Sequence, residues 1–329
     1  MMREPSFWWR PAGVTARLLS PFGALYGLIA AARMARPGRA ARIPVLCIGN
    51  LTLGGAGKTP TALAVAQILD AAGRRPFVLS RGYGGELAGP VRVDPAKHRS
   101  AEVGDEPLLL ARSVPTIVAR DRAAGADAAR AAGADSIVMD DGFQSPGLRK
   151  DRSMLVVDGR RGIGNGKVFP AGPLRAPLES QLGRAHAVLV IGAGPAGEAV
   201  AAAAQAHGVP VFHGRLEPDG RAVAVLKGRP VLAFAGIGDP EKFFATLRGA
   251  GIEVRAAIAF PDHHRYRRIE ALDLLGRAER EGLVPVTTEK DWVRLAGQED
   301  LAALAAVAHA LPVTLKVIED GAFRDWLLT

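Results

Sequence analysis

Residues able to do chemistry together are densest at Gly49-Asn50-Leu51-Thr52-Leu53-Gly54-Gly55-Ala56-Gly57-Lys58-Thr59-Pro60. Glycines let backbone N–H groups converge on an anion, a lysine adds charge, and a hydroxyl directly after it can hold Mg²⁺. Thr52, Gly54, Gly55, Ala56, Gly57, Lys58 and Thr59 are therefore expected to bind a nucleoside triphosphate. Thr52 stands where the strict phosphate-loop pattern has glycine, so the loop is a variant with its glycines packed late.

Carboxylates form the second group. Asp105 and Glu106 open an apolar helix, where they would complement its N-terminus or, near a triphosphate, serve as general base or Mg²⁺ ligand. Asp140-Asp141 ends the apolar run Ser136–Met139, the place where a phosphate-loop enzyme holds its metal. Asp158 ends a second such run and competes for that role. Cations follow in Arg81, inside the glycine loop Arg81–Gly85, and in Arg120 and Arg122. Arg81, at the end of a strand, would point at an anionic ligand. His263 and His264 are adjacent, a poor metal pair because neighbours on a strand face opposite sides. One histidine working with a carboxylate is the better reading.

The elements that must position these groups alternate. Short apolar runs at 43–48, 76–80, 115–119, 136–139, 154–157 and 188–191 are separated by Ala-rich helical stretches, which predicts an α/β fold with a mostly parallel sheet flanked by helices. The segment 213–228 has a polar, hairpin-like texture around Asp219-Gly220 and reads as a linker, dividing a phosphate-loop domain (43–212) from a second, smaller α/β domain (229–329). In the latter, Asp239-Pro240 is expected to cap a helix and Thr288–Asp291 fits a capping box. Gly192-Ala193-Gly194-Pro195-Ala196-Gly197 matches the dinucleotide pattern G-x-G-x-x-G, but that pattern alone is weak, and a tight crossover turn before the Ala-rich helix is the better reading.

The 329 residues carry a formal charge of +9 with 5% aromatics and one cysteine. Cys47 therefore has no disulfide partner and reads as a small core residue. An anionic partner is plausible, but there is no zinc-ligand spacing and no aromatic RNA-binding motif, so no nucleic acid is expected. Residues 1–42 combine Phe7, Trp8, Trp9, Phe22 and Tyr26 with arginines at 3, 10, 17, 33, 36, 39 and 42 against the single acid Glu4. Fifteen uncharged residues between Arg17 and Arg33, interrupted by Pro21, are short for a spanning helix, which suggests a helical segment lying in the membrane interface against anionic lipid. A helix packed on the domain is compatible with that.

Taken in order, the chain resembles the tetraacyldisaccharide 4′-kinases of Gram-negative bacteria. The resemblance is carried by Asn50-Leu51-Thr52, Gly54-Gly55, Gly57-Lys58-Thr59-Pro60, Ser80-Arg81-Gly82-Tyr83-Gly84, Gly104-Asp105-Glu106-Pro107, Asp140-Asp141-Gly142-Phe143-Gln144, Pro170–Arg175, Phe260-x-Asp262-His263 and Thr288-Glu289-Lys290-Asp291. It implies ATP- and Mg²⁺-dependent phosphorylation of the 4′-hydroxyl of an acylated glucosamine disaccharide 1-phosphate, by an enzyme peripheral to the cytoplasmic face of the inner membrane. It also implies Asp105 as catalytic base, His263 as its partner from the second domain, and Thr59, Glu106, Asp140 and Gln144 around the metal. Arg120, Asp141 and Arg175 would join Arg81 at the substrate.

Ser145 stands where the family usually has His, and Ala176 where it often has Glu, both near expected substrate contacts. The main rival class is a membrane-associated partitioning ATPase, which would carry a lysine where this chain has Leu53. The oligomeric state is not legible.

Overall fold

The computed structural model describes residues 4–329; Arg3 lies outside them. The thirteen strands among the described residues are β1 Val45–Asn50, β2 Pro76–Ser80, β3 Val91–Arg92, β4 Thr116–Val118, β5 Ser136–Asp140, β6 Arg152–Asp158, β7 Ala187–Ile191, β8 Val211–Pro218, β9 Val231–Ala235, β10 Val254–Ala259, β11 Val284–Thr288, β12 His309–Leu311 and β13 Val313–Val317. They form a nine-stranded sheet, ordered β13-β8-β7-β6-β1-β5-β2-β4-β3, and a four-stranded sheet, β10-β9-β11-β12. The larger sheet is parallel except at its two edges, where β3 runs against β4 and β13 against β8; the smaller is parallel throughout.

Continuous apolar strands are what a parallel sheet covered on both faces demands. Residues alternate accordingly. Cys47, Leu79, Ile137, Met139 and Leu155 enter the core on one face, and Ile48, Val78, Val138, Met154 and Val156 the core on the other. The helix Lys58–Ala71 covers the second face with Ala62, Val65, Ala66 and Leu69, spaced as one helical stripe. Burial pushes the Cys47 thiol up to about 12, consistent with a packing role. β1 lies between β5 and β6, so Asn50, Asp140 and Asp158 all end at the edge from which the loop 51–57 departs.

Two boundaries differ from expectation. The stretch 213–228 is not a simple hairpin: it holds most of β8 and the helix Gly220–Leu226. The two-stranded partner of β8 is β13, from the far end of the chain, with Leu216 opposite Leu315. Residues 313–329 thus return to the larger sheet, where Val317, Phe323 and Leu327 join its core beside Phe212.

The N-terminal helix also exceeds expectation, running Val14–Met34 with Pro21 inside. Its 21 residues are long and apolar enough to cross a membrane by length and composition alone. One stripe is small and pressed against the protein: Ala16, Gly23 and Gly27 are buried, and a Cβ at Gly23 would meet the Val168 carbonyl at 2.7 Å. The opposite side leaves Leu18, Phe22, Leu25, Leu28 and Ile29 exposed. Trp8 anchors the segment, donating its indole N–H to the Pro170 carbonyl at 3.1 Å.

Candidate active site

The phosphate loop is held from below by Asn50. Its side-chain amide donates to the carbonyls of Thr52 (2.7 Å) and Gly54 (3.0 Å), and its oxygen accepts from Lys58 Nζ at 3.1 Å. Gly57, at φ 96°, turns the chain into the helix in a conformation closed to most side chains. Lys58 and Thr59 are thereby buried at the helix N-terminus. Gln144, expected beside a metal, donates its amide N–H to the Asn50 carbonyl and to Gln181 Oε1, bracing the loop.

Asp141 adopts φ 50°, uncommon outside glycine. Its carboxylate accepts both guanidinium arms of Arg175, at 2.9 and 3.2 Å, and lies 3.7 Å from Lys58. Burial raises this carboxyl, but the Lys58 and Arg175 charges outweigh burial and hold it at about 2. Arg175 also donates to the Thr52 carbonyl, so these two residues gather on the loop itself.

Asp140 is the reverse case. It is fully buried, and neither carboxylate oxygen has a hydrogen-bond partner among the described residues. Burial, then the negative charges of Glu106 and Asp141, push it up to about 7. Its competitor Asp158 is fully engaged: Lys242 binds one oxygen at 2.6 Å, and the backbone N–H groups of Arg160 and Arg161 bind the other.

Asp105 and Glu106 begin the helix Asp105–Leu110 without capping it. Both turn instead towards the smaller sheet. His263 Nδ1 lies 3.3 Å from Asp105 Oδ2, and Lys290 pairs with Glu106. Burial raises the Asp105 carboxyl, yet the His263 hydrogen bond and the Arg294 and Lys290 charges hold it well below the usual range. His263 is lowered by burial but raised further by Asp105, so it sits above its ordinary value. It adopts φ 53° and stacks edge-on with Tyr83, from the larger unit's glycine loop, at 5.3 Å. His264 points elsewhere, to Glu270 at 2.9 Å.

The remaining expectations divide. Arg81 is exposed and makes no ion pair among the described residues. Arg120 holds the glycine loop by the Gly85 and Glu86 carbonyls. Thr288 caps its helix, accepting from the Asp291 N–H, but the box is half formed: the Asp291 carboxylate takes the Thr288 hydroxyl. Asp239 does not cap: it pairs with Arg160 and Arg161 across the two units. The G-x-G-x-x-G turn is packed against Gly159, whose carbonyl accepts from Gly197 N–H at 2.8 Å, so its glycines serve a close backbone crossing. Ala176 is fully buried, and its carbonyl accepts from Gln181.

Buried Arg122 donates to the carbonyls of Leu79, Asp140 and Asp141, fixing the strand ends. Two residues at the site escaped the sequence reading. Glu4 accepts from Trp9 and Arg161 and lies against Gly54. Arg294 reaches Asp105; its spacing of four from Lys290, on one helix face, was the available signal.

The sequence pattern of tetraacyldisaccharide-1-P 4′-kinase matches residues 15–329. The chain belongs to this family. Tetraacyldisaccharide 4′-kinase of Methylobacterium sp. (strain 4-46) is 62% identical over 98% of this chain and 95% of its own. That of Nitrobacter hamburgensis is 55% identical over 99% and 97%. A structure of LpxK from Aquifex aeolicus in complex with ATP is 27% identical with a TM-score of 0.72, covering 95% of this chain and 98% of that one. The likeness to these kinases thus spans both sheets and the site between them.

Proposed function

We infer that the chain transfers the γ-phosphate of ATP to the 4′-hydroxyl of a tetraacylated glucosamine disaccharide 1-phosphate, a step of lipid A biosynthesis. The observation that carries this reading is the meeting, beside a phosphate loop, of a buried Asp105 with His263 from the other unit. That arrangement suits an alcohol acceptor.

In this reading the loop amides and Lys58 hold the phosphates. The 4′-oxygen attacks the γ-phosphorus, the bond to the β–γ bridging oxygen breaks, and the hydroxyl proton passes to Asp105. A carboxyl held this acidic is a weak base. The transition state is loose, however, so the hydroxyl becomes acidic only as the new bond forms, and orientation matters more than basicity. His263 and the charges around it keep Asp105 ionised and aimed.

The two unpartnered oxygens of Asp140 fit a hard cation. Mg²⁺ needs only one or two carboxylates besides phosphates and water, which suits a site where no three His, Cys, Asp or Glu side chains converge among the described residues. Asp140 and Thr59 would hold it, with Glu106 and Gln144 as further donors. When bound, Mg²⁺ neutralises charge on the phosphate oxygens.

Arg81 and Arg120 remain the candidates for the substrate's anionic groups. Asp141 and Arg175, gathered on the loop, would exchange their mutual contact for substrate. Residues 43–212, extended by β8, β13 and the C-terminal helix, would act as the kinase domain, with 229–312 as the smaller domain that closes on it. Closure excludes water from the γ-phosphate. ADP release tests this reading against an ATPase switch: it should depend strictly on the acylated acceptor, whereas a switch would hydrolyse ATP without it.

The exposed side of Val14–Met34 would lie in the headgroup region of the inner membrane's cytoplasmic face, its arginines against anionic lipid. Replacing Leu18, Phe22, Leu25 and Ile29 with serine leaves the buried glycine stripe intact. It should weaken co-sedimentation with anionic vesicles by at least about tenfold; unchanged partitioning would reject the membrane role.

A further inference from the structure

Asp105 has two oxygens, and the structure treats them differently. Oδ2 receives Nε of Arg294 at 2.9 Å, a second and shorter contact from Nη2 of the same guanidinium, and His263 Nδ1 at 3.3 Å. Among the described residues Oδ1 accepts only the backbone N–H of Glu106, at 3.0 Å. The crowded oxygen is bound by the smaller unit. The sparsely bound one keeps a lone pair.

Arg294 does not owe its position to Asp105. Its Nη1 donates to the Gly236 carbonyl at 2.6 Å and to Asp291 Oδ1 at 2.8 Å. Asp291 is itself fully buried and accepts from the Gly236 N–H, the Tyr266 hydroxyl (3.0 Å) and Thr288 Oγ1 (2.7 Å). The Thr288 cap therefore sets the helix, the helix sets Asp291, and Asp291 sets a guanidinium whose free edge faces the other unit. Only a planar fork can serve both sides at once; a lysine ammonium is a point donor.

We propose that Arg294 is a positioning residue for phosphoryl transfer: anchored to the smaller unit by Asp291 and the Gly236 carbonyl, it takes Oδ2 of Asp105 and leaves Oδ1 as the oxygen that receives the acceptor hydroxyl. His263 then shares Oδ2 with Arg294 instead of orienting the carboxylate alone. Domain closure and alignment of the base become one event, because the guanidinium reaches Asp105 only when the units meet. The proposal rests on the kinase reading and on Asp105 as its base.

The test is a double-mutant cycle on steady-state kinetics with ATP, Mg²⁺ and the acylated disaccharide 1-phosphate. Arg294→Gln should lower kcat roughly 10- to 100-fold, as expected for a misaligned reacting group, with KM for ATP changed less than about twofold. Arg294→Lys should recover part of the loss. In an Asp105→Asn background, Arg294→Gln should cost nothing further, since residues acting as a unit are non-additive. Equal losses in both backgrounds would make Arg294 a strut between the units and overturn the proposal, as would a kcat within twofold of the unaltered chain. If Arg294→Gln fails to fold, the Arg294→Lys pair of variants decides by the same criterion. No transfer by the unaltered chain would instead sink the kinase reading, and the proposal with it.

Discussion

Asp105→Asn is expected to lower turnover by about 10²–10⁴-fold, the usual range for loss of a positioned base, while ATP affinity stays within about twofold. The contrast follows from where Asp105 sits. Its partners are Arg294, His263 and the Glu106 N–H, whereas the nucleotide loop is braced separately by Asn50, Gln144 and Arg175. Asparagine retains an oxygen for Arg294, which also keeps Asp291, so the fold should survive. A variant with weakened ATP binding and intact turnover would show Asp105 to be a metal or phosphate contact and not the base.

Asp140→Asn should produce effects of opposite sign in stability and activity. Burial and neighbouring negative charge disfavour the anion and push the folded carboxyl from its ordinary 3.8 up to about 7. Between those values the folded metal-free protein binds a proton that the unfolded chain does not, so stability falls as pH rises and the loss is complete above about pH 7. The penalty is of the order of 4 kcal/mol. Asparagine never ionises. The variant should therefore melt several degrees above the unaltered protein at pH 8 without Mg²⁺, with the gap narrowing as pH falls and closing below about pH 4. Its kinase activity should nevertheless fall at least about 100-fold for want of the carboxylate. A melting temperature lower than the unaltered protein's at pH 8 would mean that Asp140 has partners the geometry does not show.

Groups that act through short-range sequence were legible beforehand. A glycine-lysine-threonine run after an apolar strand states its own conformation, and Lys58 and Thr59 occupy the helix start that reading requires. The continuous apolar runs that become β1, β5 and β6 likewise needed no partner to be recognised. What escaped depends on long-range pairing. β13 carries no local mark of its place beside β8, so residues 313–329 read as part of the smaller unit. Asp239 satisfied a capping pattern yet pairs with two arginines on the other unit, a choice visible only when the units meet. Arg294 was hidden for a similar reason: the Thr288 cap accounts for the start of its helix, and the spacing of four from Lys290 marks a shared face without saying that this face meets Asp105.

Asp140 against Asp158 shows the structure deciding what pattern could not. Both close apolar strands, but Asp158 spends both oxygens on Lys242 and two backbone N–H groups, and Asp140 spends neither. Two of the three non-glycine residues at positive φ among the described residues, Asp141 and His263, belong to the site, where the surrounding contacts fix them in conformations that cost free energy elsewhere.

The most direct measurement supplies γ-labelled ATP, Mg²⁺ and an acylated glucosamine disaccharide 1-phosphate in mixed micelles and locates the label in the product. Label at the 4′-oxygen, lost with Asp105→Asn, is the expected result. Label appearing only as inorganic phosphate, or on the disaccharide at another position, would contradict the account.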